Sequence, residues 1–308
     1  MKRLIICIIA CLFPLSAYSF DKVWNDSGPW NNKVGWKNTG GWLSTELLRE
    51  TKVQIKRIKA DGGTVIDEGW MDTTIRTLKA QGVYGNVKFL GDANFAVKKD
   101  GSNAVATLYD ISGNNNDATQ GTGANQPIWY VNQQNGKSGV SFDGVDDFLL
   151  NAAPAYNAQS LSITAVYKKV APLETSNTGV LAASSNGLIQ FTVTDGVVNA
   201  YDTGVDYYYA NAHIGLTIPN NQFTAYHIST ITSSTAPLAS AYGNGVLSGT
   251  TTVVASYATT GLRIGSYNDA GDYAYNGSLT SLILSNVDFT AAQRTAIEAM
   301  LNTYYAIY

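Results

Sequence analysis

The chain is poor in the residues that usually carry chemistry. It has two cysteines in 308 residues, Cys7 and Cys11, both close to the N-terminus. The remainder can form no disulfide, thiolate nucleophile or cysteine metal site. Histidine occurs twice, at His213 and His227, with no HExxH run and no G-x-S-x-G elbow beside either. Two distant histidines make a poor zinc site. After residue 100 the only glutamates are Glu174 and Glu298, and no E-x-D-x-x-E-like run occurs. A glycosidase needs two carboxyl groups facing one bond, so that class has little to work with here. Asp146 and Asp147 are adjacent and Asp143 differs from Asp146 in parity, so an extended strand would hold them apart.

Long apolar runs are also scarce. The one present, Leu4 to Leu15, follows Met1, Lys2 and Arg3 and precedes Ser16, Ala17, Tyr18 and Ser19. A basic end, a short apolar core and an A-x-S site describe a secretory signal peptide over 1–19, cut after Ser19. The run is short for a transmembrane helix. A lipoprotein-type signal around Cys11 is the alternative. The expected product is exported, secreted or held at the cell surface, with the periplasm as a further location. A mature chain of this length without disulfides has to be held by its core.

Charge is sparse and unevenly placed. Residues 20–100 hold 13 Lys+Arg against 10 Asp+Glu, net +3; residues 101–308 hold 5 against 13, net −8. An acidic second part argues against nucleic acid as the main partner and suits neutral glycans or oxygen-bound cations. The step near residue 100 marks an expected boundary between a small helical module, 44–101, and a sandwich domain, 102–308.

What is abundant is patterned. Trp24, Trp30, Trp36 and Trp42 recur every six residues in an arm over 20–43. An extended arm would align them on one side, as a strip for sugar rings or a partner; the alternative is a loose arm whose indoles cover the next module. Residues 44–63 read as a helix with Ser44 as cap and Gly62 and Gly63 as stop, and 72–81 as a second with Asp72 as cap. From 102 onward short alternating runs recur between turn signals: 161–167, 187–193, 196–201, 223–230, 251–257, 261–266 and 278–285. Asn244 and Gly245 predict a tight hairpin. Thr290 and Gln293 predict a capping box for a terminal helix with Ile297, Met300, Leu301 and Tyr304 along one stripe.

Three stretches, LYDISGNNNDATQ (108–120), NGKSGVSFDGVDDFL (135–149) and NGSLTSLILSNVDFTAAQRTAIEAMLNTYYAI (276–307), resemble the concanavalin A-like (laminin-G-like) jelly-roll domains of bacterial and phage surface proteins. The KADGGTV…TIRTLKAQGVYGNVKF pattern resembles a helical segment that often precedes them. The resemblance implies a mainly β jelly-roll sandwich with a small helical N-terminal module and a C-terminal helix. That scaffold serves lectins, glycanases and structural modules. Related domains often hold calcium at the loop rim. Asp143, Asp146 and Asp147 form one oxygen-rich cluster, and Asn268, Asp269 and Asp272 another; the alternative is that these residues cap turns through their own backbone. No other cofactor is expected. For a glycan, the flat faces are Trp129, read as lying in a loop, and Tyr207, Tyr208 and Tyr209, read as a loop-like rim beside Asn211. The expected function is non-catalytic glycan binding or adhesion. The alternatives are a structural or prophage-derived appendage protein that uses the sandwich for protein contacts, and a polysaccharide-degrading enzyme.

Overall fold

The computed structural model describes residues 46–157, 160–169, 178–183, 189–195, 203–209, 212–217, 227–233, 238–252, 258–266 and 274–308. The tryptophan arm, the signal segment, Ser44, Glu174, Asn211, Asn268, Asp269 and Asp272 lie outside the described residues. In chain order the elements are α1 (Arg49–Ala60), β1 (Thr64–Val65), α2 (Glu68–Ala80), β2 (Val87–Asp92), β3 (Ala96–Lys99), β4 (Val105–Leu108), β5 (Ala118–Thr119), β6 (Ile128–Gln134), β7 (Lys137–Asp143), β8 (Leu149–Asn157), β9 (Leu161–Lys169), β10 (Thr178–Ala183), β11 (Ile189–Asp195), β12 (Thr203–Tyr209), β13 (Ala212–Thr217), β14 (His227–Ser233), β15 (Leu238–Gly243), β16 (Val246–Thr252), β17 (Ala258–Ile264), β18 (Asn276–Ser285) and α3 (Ala291–Tyr305).

The strands build two antiparallel sheets. The first runs β1-β3-β4-β5-β8-β17-β10-β11-β12-β13, and the second runs β16-β15-β14-β9-β18-β7-β6 with β2 paired to β18. A first core lies between them: Val97, Leu108, Leu149, Leu181 and Ile264 come from one sheet, and Phe142, Ile163, Tyr167, Leu279 and Leu282 from the other. A second core covers the outer face of the second sheet. There Ile58, Trp70, Ile75, Leu78, Ile297, Leu301 and Tyr305 of the three helices meet Leu90, Val166, Ile228 and Ile283 of the strands. Double coverage explains why β9 and β18 are buried almost end to end rather than on alternate residues. The fold class expected from the sequence, a mainly β sandwich with N-terminal helices and a terminal helix, is the one observed. Leu48–Tyr308 forms one compact unit, and β3 and β4, on either side of the charge step, are hydrogen bonded to each other.

Local signals set several elements. Gly62 (φ +79°) and Gly82 (φ +69°) end α1 and α2, where Gly63 and Val83 donate back to Ile58 and Leu78. Asn244 (φ +47°) and Gly245 (φ +83°) turn β15 into β16. Thr290 and Gln293 form the reciprocal capping box of α3. The start of α2 differs from expectation. Asp67, not Asp72, caps it by accepting from Trp70 N at 2.8 Å. Asp72 lies inside the helix and is buried. It accepts from Leu48 N (2.7 Å) and Thr51 Oγ1 (2.6 Å) and pairs with Arg76 (2.5 Å). It therefore ties α2 to the start of α1.

The LYDISGNNND run is a structural lock. Asp110 is fully buried; its Oδ1 accepts from Leu90 N (2.9 Å) and Ser112 N (2.9 Å), and its Oδ2 from Ser112 Oγ (2.8 Å) and Asn116 N (2.9 Å). Asn114 and Asn116 donate onward to the carbonyls of Val87 and Lys88. Asp117 takes Arg57 of α1 at 2.6 Å. The motif thus fastens one loop to β2 and α1 and leaves Asp110 no oxygen for a ligand.

Candidate functional site

The acidic site is built by the turn between β7 and β8. Gly144 (φ +80°) reverses the chain directly after Asp143. A side chain there would press on Asn276, the first residue of β18 and the register partner of Asp143. Asp143 Oδ1 accepts from Val145 N (2.8 Å) and Asp146 N (3.3 Å), and Asp147 Oδ2 accepts from Asp143 N (2.9 Å). Gly265 (φ +98°), at the end of β17, lets the Asp147 carbonyl come within 2.9 Å of where a Cβ would stand.

The turn corrects the strand-parity expectation. Because the chain turns directly after Asp143, ligand oxygens of Asp143, Asp146 and Asp147 all lie within 4.8 Å of one another. Asp143 is exposed, Asp146 intermediate and Asp147 buried. The turn-capping alternative accounts for part of the cluster: one oxygen of Asp143 and one of Asp147 cap the turn. The second oxygen of each, and both of Asp146, accept no hydrogen bond from a described residue. Burial, then the charge of Asp143, pushes the Asp147 carboxyl up to about 6 from its ordinary 3.8, with Asp146 adding to the rise. Three carboxylates this close repel one another and could hold a metal ion. A hard cation takes six to eight oxygens, so carbonyls and waters would complete the shell.

The aromatic residues fall elsewhere. Trp129 lies in β6, not in a loop. Its ring packs on the first core, its Nε1 donates to the Ala93 carbonyl (2.9 Å), and Lys99 Nζ stands 5.1 Å from the ring centroid. Tyr207, Tyr208 and Tyr209 lie within β12, not in a loop, in register with Phe191, Gln190 and Ile189 of β11 and with Ile214, His213 and Ala212 of β13. The alternation hidden in TGVDYYY is masked by three successive tyrosines, which read equally as a rim. His227 opens β14 opposite Tyr167. Glu298 is buried on α3 and paired with Arg294 at 2.6 Å, so it is a packing residue.

One buried polar centre has no local sequence signature. Asp92, at the end of β2, accepts from Tyr305 Oη (2.5 Å), Trp70 Nε1 (3.1 Å), Asn94 N (2.7 Å) and Asn94 Nδ2 (3.2 Å). Tyr304 stacks on Trp70 with centroids 3.9 Å apart and donates to Asp67 (2.9 Å). This centre joins β2, α2 and α3 and is sealed from solvent.

No protein-family model matches the chain, and neither does any curated protein sequence. Solved structures give distant likenesses. Domain 4 of AbnA, a GH43 extracellular arabinanase from Geobacillus stearothermophilus seen with arabinotriose, is 13% identical with a TM-score of 0.47, covering 69% of this chain and 98% of that one. Trypanosoma rangeli sialidase is 13% identical with a TM-score of 0.46; 77% of this chain matches 39% of the sialidase. The SAP-like pentraxin of Limulus polyphemus is 18% identical with a TM-score of 0.39, covering 50% and 77%. At these values the likenesses carry no functional argument.

Proposed function

We propose that the chain is an exported, non-catalytic carbohydrate-binding or adhesion protein of the concanavalin A-like (laminin-G-like) type. The observation that carries this reading is the Asp143–Asp147 turn, whose uncommitted carboxylate oxygens gather at one end of the sandwich. Such oxygens accept hydrogen bonds from sugar hydroxyls, which are charge-assisted and directional. Calcium is the cation this oxygen set suits, held by Asp143, Asp146 and Asp147; when bound it would neutralise the cluster and offer further coordination to vicinal hydroxyls. Asp147 supplies the buried anchor of the site and Asp146 the side chain least used by the fold. The resemblance stated above supports the same reading.

The test is binding of the purified chain to a glycan panel and to insoluble polysaccharides, with and without EDTA, beside Asp146→Asn. Saturable binding that falls with the variant supports the reading; no binding across the panel moves the structural-protein alternative to first place. One observation favours a second reading, polysaccharide hydrolysis. Asp143 and Asp147 are close, and Asp147 is shifted toward 6, as a general acid would be. Against it, both residues sit on one five-residue turn and each spends an oxygen on the backbone. Reducing sugar released during the same incubation would establish the hydrolase.

A further inference from the structure

Four Asn–Gly pairs occur in the sequence: Asn135–Gly136, Asn186–Gly187, Asn244–Gly245 and Asn276–Gly277. Such a pair is chemically labile, because a glycine without a Cβ leaves its nitrogen open to attack the preceding side-chain amide. Asn186–Gly187 lies outside the described residues, and the fold treats the other three differently. Asn244 is clamped against β14: its N donates to Ile228 O (2.8 Å) and its Oδ1 accepts from Ile228 N (2.9 Å). Gly277 is buried, in register with Phe142 of β7 on one side and Lys169 of β9 on the other. Asn135 and Gly136 are both exposed, at the tip between β6 and β7. Both take a positive φ (+48° and +72°), and Gly136 N donates no hydrogen bond to a described residue.

The Asn135 amide is also a clamp. Its Nδ2 donates to Tyr304 O (3.1 Å), and Nε2 of the adjacent Gln134 donates to Tyr305 O and Ala306 O (3.0 Å each). These carbonyls lie at the C-terminal end of α3, where a helix supplies no partners of its own. On the other side of the tip, Lys137 Nζ stands 3.8 Å from the centroid of the Tyr304 ring. Tyr304 in turn stacks on Trp70, and Tyr305 donates to Asp92. The β6–β7 tip therefore holds the end of α3 against the sealed centre.

We propose that Asn135–Gly136 is a self-modification site, at which water displaces ammonia from the Asn135 side chain and the product loosens the end of α3. The exposed tip opens locally, which the clamped Asn244 and the doubly paired Gly277 do far less readily. Gly136 N, having lost its proton to a base, attacks Asn135 Cγ. The new C–N bond closes a cyclic imide, the Cγ–Nδ2 bond breaks, and Nδ2 leaves as ammonia with a proton taken from solvent. Water then adds to one imide carbonyl and opens the ring to aspartate or isoaspartate. One water is consumed and one ammonia released, and nothing is oxidised or reduced. Either product puts a carboxylate where a donor stood. It has no N–H for Tyr304 O, and it faces the negative end of the α3 dipole. Isoaspartate also lengthens the main chain in a tight turn whose flanking residues, Gln134 and Lys137, are register partners. The Asp143–Asp147 turn takes no part in this chemistry, so the inference does not depend on the carbohydrate reading.

The test ages the full chain in warm, mildly alkaline buffer and follows each Asn–Gly pair by peptide mapping with isoaspartate labelling. Asn135 is expected to convert about fivefold faster or more than Asn244 and Asn276 in the folded chain, and at a similar rate to them in concentrated urea. Equal rates in the folded chain, or Asn244 or Asn276 converting first, would overturn the site. Hydrogen exchange of the last α3 amides reads the consequence. Asn135→Asp, which reproduces the aspartate product, should speed that exchange by about threefold or more, and the aged wild-type chain should show the same change. Asn132→Asp places the same charge on the exposed part of β6 and removes no bond to α3, so it should leave the exchange nearly unchanged. Equal effects of the two variants, or no effect of Asn135→Asp, would overturn the loosening of α3.

Discussion

Asp110→Asn tests whether the LYDISGNNND run is a lock. The substitution preserves shape and removes one acceptor. Its remaining oxygen can keep Leu90 N and Ser112 N, now at 2.9 Å each. Its new amide would then face Asn116 N–H, a donor against a donor, where the carboxylate now accepts at 2.9 Å. Ser112 Oγ can rotate and become an acceptor, so its bond is recoverable. The cost is one orphaned buried donor, about 1 to 3 kcal/mol, plus the weakening of two charge-assisted bonds to neutral ones. The net expectation is a loss of about 3 kcal/mol. Against it works the relief of a buried charge, since burial holds the Asp110 carboxyl above its ordinary range. Urea unfolding at neutral pH reads the change as a shift in midpoint at constant slope. As a contrast, Asp143→Asn removes acceptors only from an exposed turn and should cost less than about 1 kcal/mol. A loss below about 1 kcal/mol for Asp110→Asn would refute the lock and reopen that loop as a ligand site.

Tyr305→Phe deletes the donor that reaches Asp92 at 2.5 Å in a sealed centre, so a loss of about 2 to 3 kcal/mol is expected in the same unfolding assay; no measurable loss would detach α3 from the centre. Burial, partly offset by its hydrogen bonds to Tyr305, Asn94 and Trp70, lifts the Asp92 carboxyl from 3.8 to about 6. Its native form therefore holds a proton more tightly than its unfolded form, so its contribution is full below about pH 4 and is lost as pH rises through about 6. Relative to Asp92→Asn, the wild type should lose about 2 to 3 kcal/mol between those limits; parallel stability curves would contradict the shift. Gly265→Ala demands a side chain at φ +98° and within 2.9 Å of the Asp147 carbonyl, and should cost more than about 2 kcal/mol by thermal unfolding, an expectation that an unchanged midpoint would rule out.

Much of the fold was legible because its signals are local. The Asn244–Gly245 hairpin, the Thr290–Gln293 box and the glycine stops after α1 and α2 each lie within a few residues of their partners. The strands at 161–169 and 276–285 declared themselves by composition, since both faces are covered. What was not legible depends on distant partners. Asp72 reads as a cap, but its partners Leu48 and Thr51 come from another helix. Asp92 looks like any turn aspartate, and Tyr305 lies 213 residues away from it. Trp129 is polar-flanked like a loop residue, yet its indole donates to the carbonyl of Ala93, 36 residues away in the chain. The acidic cluster was legible as a composition but not as a geometry, because strand parity fails where Gly144 takes a positive φ.

On the proposed function, the Asp143–Asp147 turn binds carbohydrate without cleaving it. The most direct measurement is isothermal titration of the purified chain with the best ligand from a glycan panel, run for wild type and Asp146→Asn, with and without calcium, and with reducing ends assayed in the recovered cell contents. Saturable binding that Asp146→Asn weakens by about tenfold, with an unaltered unfolding midpoint and no reducing sugar formed, is the expected result. Binding unaffected by the substitution would place the ligand elsewhere on the molecule, and reducing sugar that accumulates with time would make the turn a catalytic site.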